Sequence, residues 1–229
     1  MNLLILGGRG KMGSLLAELA RERGHNITVL DEPENTGARA LTRDALQGVD
    51  VVVDFTTPHA VLENIAACVA LRANMVVGTT GWYGEIPRIK ALVNQSGVGF
   101  LYAANFSIGV NLFFDIVRAA APALRSGYSG KILETHHVHK KDAPSGTAVA
   151  IRNVVHDAAH AELPIESVRE GEVVGMHQLT LDSAGDTITL VHEAKSRRGF
   201  AEGAVRAAEW LRGKTGFYDF KDIFRELGC

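Results

Sequence analysis

Between Glu134 and Thr147 the chain reads Glu-Thr-His-His-Val-His-Lys-Lys-Asp-Ala-Pro-Ser-Gly-Thr, with three of its nine histidines and two lysines inside residues 136–141. Lysine supplies fixed positive charge, and histidine titrates near neutral pH and can act as a general acid. The segment ends in Pro144-Ser145-Gly146-Thr147, where a helical pattern begins, so the first backbone N–H groups of that helix would face the cationic side chains. Cations at a helix N-terminus make an anion site, suited to a carboxylate or a phosphate. A metal site from His136, His137 and His139 is disfavoured. No cysteine or paired carboxylate completes a ligand set, and adjacent histidines on a strand point to opposite faces. A solvated, charged strand end and a phosphate site remain as rivals; an enzyme site accounts for the cluster best.

A second chemical motif lies near the start. Gly7-Gly8-Arg9-Gly10-Lys11-Met12-Gly13 contains G-x-x-G-x-x-G between an apolar run and an amphipathic helical pattern. Glycines at such a turn let backbone N–H groups approach a pyrophosphate at the helix N-terminus, as in dinucleotide-binding loops. Asp31, roughly twenty residues further on, can accept hydrogen bonds from the adenine ribose. The residues after it, Asp31-Glu32-Pro33-Glu34, carry three carboxylates that would repel a 2′-phosphate, while Arg9 and Lys11 compensate in part. The expectation is a nicotinamide cofactor, NADH preferred and NADPH also usable.

These motifs need elements to hold them. Asn2–Leu6 is a short, nearly continuous apolar run, the pattern of a strand buried on both faces; Asn26–Leu30 and Asp50–Phe55 are expected as the second and third strands, and Met75–Gly78 and Gly99–Ala103 are two more short apolar runs. Between them, Met12, Leu15, Leu16 and Leu19 mark one helix face, and Leu62, Ile65, Ala66 and Val69 another, with Thr57 as its expected cap and Pro58 in its first turn. A further helix is expected near Pro87–Asn94. After Asn105 the pattern changes to a long apolar helix (Asn111–Leu124), a strand (Lys131–His137), a helix from about Ser145 to Ala161, and a hairpin of His177–Asp182 with Thr187–His192. The last helix is Phe200–Leu211. Repeated strand–helix–strand units imply a parallel sheet with right-handed crossovers.

The expected fold is therefore α/β: a Rossmann-like parallel-sheet domain from residues 1–106 and 198–229, with an inserted α+β domain from residues 107–197. The 229 residues and 46% hydrophobic content suffice for such cores, and the net charge of −2 advertises no nucleic-acid or membrane partner. Cys68 and Cys229 cannot build a disulfide framework, and no apolar stretch approaches the ~20 residues of a membrane span. Met1–Leu6 is too short for a signal sequence. The location expected is the cytoplasm.

The chain resembles the dihydrodipicolinate reductase family of the diaminopimelate route to lysine. The family pattern E-x-H-H-x-x-K-x-D-A-P-S-G-T-A runs unbroken from Glu134 to Ala148, and G-x-x-G-x-M-G from Gly7 to Gly13. DFT-x-P at Asp54–Pro58, GTTG at Gly78–Gly81 and ANFS-x-G-x-N at Ala104–Asn111 also match, as do Arg169-Glu170-Gly171, Gly175-Met176-His177 and the stretch Ser196–Ala201. The stretch between Asp31 and the third strand is shorter than in many members, and Glu32 is acidic where some carry a basic residue.

The resemblance implies reduction of a cyclic dicarboxylate, the dehydrated form of 4-hydroxy-tetrahydrodipicolinate, with His136 as proton donor and Lys140 as catalytic lysine. His137, Lys140, Ser145, Gly146 and Thr147 would hold the substrate carboxylates. Gly7, Arg9, Gly10, Lys11, Met12 and Asp31 would hold the adenosine and pyrophosphate half of the cofactor. Gly78, Thr80, Ala104, Asn105 and Phe106 would line the nicotinamide, with Arg197 and Phe200 near it. A homotetramer assembled through the inserted domain's sheet is implied as well. Two other readings are a different reductase on the same fold, of aspartate-dehydrogenase or sugar type, and a dinucleotide sensor without turnover.

Overall fold

The computed structural model describes residues 1–227, so Cys229 lies outside the described residues. The chain forms two compact units. One comprises Met1–Ser107 and the chain from Arg198 onward; the other is Ile108–Arg197.

In the first unit, β1 (Asn2–Leu6), β2 (Asn26–Leu30), β3 (Val51–Asp54), β4 (Met75–Val77), β5 (Gly99–Tyr102) and β10 (Gly216–Asp219) make an all-parallel sheet in the order β10-β5-β4-β3-β1-β2. Helices α1 (Lys11–Glu22) and α6 (Arg198–Leu211) cover one face; α2 (Val61–Ala70) and α3 (Ile86–Ser96) cover the other. This explains the unbroken apolar runs. Leu3 and Ile5 point to one helix layer, Leu4 and Leu6 to the other, and all four are buried. The strand order reverses between β1 and β3, and the carboxyl ends on either side of such a switch point open a crevice for a ligand.

The second unit holds a sheet ordered β7-β6-β8-β9, built from β6 (Ser129–His136), β7 (Ile165–Arg169), β8 (Met176–Asp182) and β9 (Thr187–Glu193). Helices α4 (Ile108–Ala120) and α5 (Gly146–Ala159) pack on it through Phe113, Val117, Ile151 and Val155, against Ile132, Leu179 and Leu181. Alternation puts Ile132, Glu134 and His136 on this helix-covered face, along with His177, Leu179 and Leu181.

Several expectations need correcting. The helix expected over Asn111–Leu124 begins at Ile108 and stops at Ala120, and a 3-10 turn follows over Ala121–Ser126. Pro122 lacks the N–H an α-helix would need there. Thr57 does not cap α2 with its side chain. Its carbonyl accepts from the amides of Ala60 and Val61, so the helix starts only at Val61. Strands β7 and β10 and the short helix α7 (Phe220–Ile223) were not anticipated. β7 is a polar edge strand without an apolar stripe. β10 is four residues, Gly-Phe-Tyr-Asp, held on the edge of β5 where Phe217 stacks on Phe100 at 5.2 Å.

Helix α6 crosses its unit at Gly203, where an added Cβ would stand 1.8 Å from the carbonyl oxygen of Phe106. Helix propensity favours alanine over glycine by about 1 kcal/mol, yet a backbone carbonyl cannot rotate away as a side chain would. The clash wins: Gly203→Ala is expected to cost about 1–3 kcal/mol in equilibrium urea unfolding, and a gain in stability would refute this packing.

Candidate active site

The glycine loop joins β1 to α1. Gly7 has φ +78°, and an added Cβ there would lie 2.3 Å from the carbonyl oxygen of Phe55; one at Gly13 would lie 2.1 Å from that of Gly7. Glycine is therefore demanded by both the turn and the close packing of helix on strand. Gly10 caps α1 without a side chain, so no protein oxygen from the cap occupies the first-turn amides. Gly7, Gly10, Asp31, Asn35, Phe55 and Thr56 line a cleft at the switch point between β1 and β3. Backbone donors at a helix N-terminus beside such a cleft fit a dinucleotide pyrophosphate.

Asp31 closes the cleft's rim. Its carboxylate accepts from the backbone N–H of Arg9 at 2.8 Å and of Glu32 at 3.1 Å. The Arg9 guanidinium turns to the Glu34 carboxylate, at 3.2 and 3.3 Å, and to the Glu32 carbonyl. Beneath the rim lies a polar cluster that the sequence reading missed. Asp54, fully buried, accepts from the Thr56 hydroxyl (2.7 Å), the Thr79 hydroxyl (2.7 Å) and the Asn64 amide (2.8 Å), and Asn35 donates to Asn64. It ties the ends of β3 and β4 to α2. Asp and Thr at Asp54-Phe55-Thr56 were the available signal: polar residues at and just beyond the end of an apolar strand.

Gly78 follows β4 and lies against Phe55, whose ring would meet an added Cβ at 2.3 Å. Phe106, expected along the nicotinamide, is a buried core ring packed edge-on to Phe220 at 4.9 Å and near Phe55 at 6.0 Å.

In the second unit, β6 delivers Glu134 and His136 to one face, two residues apart. Glu134 has no solvent exposure. Its Oε1 accepts from Arg169 Nη2 at 3.0 Å and from the Ser145 amide at 3.3 Å. Its Oε2 stands 2.5 Å from His136 Nδ1 as an ion-pair contact, and neither atom makes a hydrogen bond of good geometry. Burial would raise the Glu134 carboxyl, but hydrogen bonds from Ser167, Arg169 and Ser145 outweigh it and hold the group at about 2. Arg169 also donates to the Asp142 carbonyl at 2.6 Å, stitching the strand to the loop that carries Lys140. Lys140 Nζ itself lies 2.7 Å from the Asp142 carboxylate, which this contact keeps below its ordinary range.

Helix α5 begins where the sequence placed it. Ser145 is its N-cap, with Oγ accepting from the Ala148 amide at 3.2 Å. The same Oγ meets His177 Nε2 at 3.2 Å, and the His177 ring stands edge-on to His136 at 5.1 Å. Burial drives His177 down to about 4, so it is neutral at physiological pH.

Of the three clustered histidines only His136 is buried. His137 is half-buried, and the His139 side chain is 77% exposed. The structure replaces the sequence trio with Glu134, His136 and His177, whose ligand atoms lie within 4.8 Å of one another. Arg169 already neutralises that carboxylate and works against a cation. Arg169 and His177 lie 35 and 43 residues from Glu134, and only strand pairing brings them to it.

Residues 1–106 match the family description "Dihydrodipicolinate reductase, N-terminus" and residues 109–224 match "Dihydrodipicolinate reductase, C-terminus". The chain belongs to the dihydrodipicolinate reductase family. A 4-hydroxy-tetrahydrodipicolinate reductase of Christiangramia forsetii is 36% identical over 99% of both chains, and one of Neisseria meningitidis serogroup A is 35% identical over 97% of both. The solved dipicolinate-bound dihydrodipicolinate reductase from Paenisporosarcina sp. TG-14 superposes with a TM-score of 0.80 at 25% identity, covering 97% of this chain and 99% of that one. A meso-dapdh variant from Clostridium tetani E88 shares the fold alone, with a TM-score of 0.58 at 12% identity, covering 99% of this chain and 96% of that one. Among the described residues, no helix is long and apolar enough to cross a membrane.

The buried groups at the head of α5 make stability depend on acid. His177 falls from an ordinary 6.5 to about 4, so the fold prefers its neutral form, and that contribution is complete above 6.5 and lost as pH drops towards 4. Glu134 falls from 4.5 to about 2; its contribution is complete above 4.5 and lost towards 2. Both losses run the same way, in successive windows. Urea midpoints of the wild type are expected to decline from pH 7 to pH 4.5, and those of His177→Gln to decline less. Parallel slopes for the two proteins would contradict the assignment.

Proposed function

We propose that this dihydrodipicolinate reductase family member reduces the dehydrated form of 4-hydroxy-tetrahydrodipicolinate to tetrahydrodipicolinate, in the route to diaminopimelate and lysine, using NADH in preference to NADPH. The observation that carries the reading is a buried histidine held against a carboxylate at the cationic head of a helix. That arrangement suits a dianionic substrate that must be protonated. The nicotinamide cofactor, when bound, supplies the hydride to a ring carbon.

The chain's own residues do the rest. His136 donates the compensating proton, and Lys140 supplies positive charge as the conjugated system becomes more electron-rich. Lys140 rests on Asp142; a substrate carboxylate would take that partner's place. His137, Lys140, Ser145, Gly146 and Thr147 hold the two carboxylates, and Ser145 also sets the helix start on which the last two stand. On the cofactor side, Gly7, Arg9, Gly10, Lys11, Met12 and Asp31 cradle the adenosine and pyrophosphate. Gly78, Thr80, Ala104, Asn105 and Phe106 line the nicotinamide, Phe106 through the backbone it anchors, with Arg197 and Phe200 nearby.

NADH preference follows from the rim. A 2′-phosphate would meet the Asp31 carboxylate, while the Arg9 guanidinium is engaged by Glu34 and that of Arg39 by the Pro33 and Glu34 carbonyls. The helix-free face of the second sheet, with Val191 54% exposed among threonines and Gln178, supports a homotetramer joined sheet to sheet. The proposed setting is the cytoplasm.

Oxidation of NADH at 340 nm with enzymatically generated substrate tests the activity, and turnover only with aspartate analogues or sugars would favour another reductase on this fold. His136→Ala and Lys140→Ala are each expected to lower kcat by roughly 10²-fold or more; near-normal turnover in either removes its assigned role. For the cofactor, kcat/KM should be higher with NADH, and a value tenfold higher with NADPH would reverse the preference.

A further inference from the structure

The surroundings of His136 assign different tasks to its two ring nitrogens. Nδ1 faces Glu134 Oε2 at 2.5 Å. The other carboxylate oxygen is already taken by Arg169 and the Ser145 amide, so the group cannot rotate to offer a different edge. Nε2 lies on the opposite side of the ring, against Gly175, where an added Cβ would stand 3.0 Å away. Any larger residue would crowd the only ring nitrogen that remains for exchange.

We propose that Glu134 is a positioning residue that keeps a proton on His136 Nδ1, so that His136 gives up its catalytic proton from Nε2, on the side of the ring that Gly175 borders. This rests on the reading of His136 as the proton donor. In the step, the Nε2–H bond of the imidazolium breaks and the proton passes to the substrate as hydride arrives from the reduced nicotinamide. His136 becomes the neutral Nδ1–H tautomer, Glu134 stays ionised, and solvent restores the proton for the next turnover. The carboxylate orients the ring and stabilises its charged form without itself changing state.

Every charged or titratable neighbour bears on the balance. Burial disfavours the imidazolium; Glu134 on β6 favours it; Lys140 on the loop and Arg169 on β7 oppose it; and His177 on β8, neutral, packs edge-on. Asp142 on the loop interacts with His136 as well. Burial is the largest of these and leaves His136 below its ordinary value, with Glu134 the largest contribution in the other direction.

The test is nitrogen-15 NMR of histidine-labelled protein without substrate, with the His136 signals assigned by their loss in His136→Gln. Neutral His136 is expected as the Nδ1–H tautomer. In Glu134→Gln, the amide oxygen should stay on Arg169 and the Ser145 amide, turning the NH2 towards Nδ1. His136 should then switch to the Nε2–H tautomer, its protonation midpoint should fall by a unit or more, and kcat at neutral pH should drop at least tenfold while KM for the dinucleotide holds. Glu134→Asp, which keeps the charge at shorter reach, should recover part of the midpoint. A wild-type Nε2–H tautomer, or an unchanged tautomer and midpoint in Glu134→Gln, would overturn the proposal. If Glu134→Gln does not fold, the wild-type tautomer decides alone. Because the spectrum needs no turnover, an inactive protein with the Nδ1–H form would count against the proposed reaction and not against this positioning role.

Discussion

A carboxylate with no solvent exposure is tolerated only where hydrogen bonds and opposite charge replace its water, and Glu134 meets that condition from three directions. Arg169 reaches it from β7, the Ser145 amide from the start of α5, and the His136 ring from the same strand. Each partner is thereby placed. Arg169, held on Glu134, also grips the Asp142 carbonyl and so ties down the loop that presents Lys140. Ser145, held by its amide, is free to cap α5 with its hydroxyl and to meet His177. The helix start, the loop and the candidate acid all refer back to one buried charge. Removing a single partner would leave the others facing an uncompensated group in a low-dielectric site.

The first unit repeats the device in another place. Asp54, also fully buried, collects the hydroxyls of Thr56 and Thr79 and the amide of Asn64 where the strand order reverses. Backbone glycines shape the floor of the cleft there and polar side chains brace its wall. In both units a rigid sheet end, not a flexible loop, carries the precise groups, which is what a preorganised site requires. Acidic residues around the cleft's rim then set the field that a cofactor's ribose would meet.

Local patterns made much of this legible. Apolar runs marked β1, β3, β4 and β5 because a strand buried on both faces has no polar alternation to obscure it, and the glycine spacing of Gly7–Gly13 announced the turn before α1. The start of α5 followed from Pro144-Ser145-Gly146 because capping is decided by neighbours in sequence. Where the signal was not local it failed. β7 and β10 are edge strands defined by what they pair with; α4 shortened at a proline inside an apolar stripe; and Thr57 looked like a cap but contributed only its carbonyl.

The basic segment divides along the same line. Its sequence alone determined that cationic side chains meet a helix N-terminus, and its family pattern determined which histidine and lysine to watch. Only the tertiary structure decided that His136 is the buried histidine, that Glu134 faces its Nδ1, and that Arg169 and His177 complete the setting. Strand register and packing choose those partners from segments distant along the chain, and no short window of sequence records that choice.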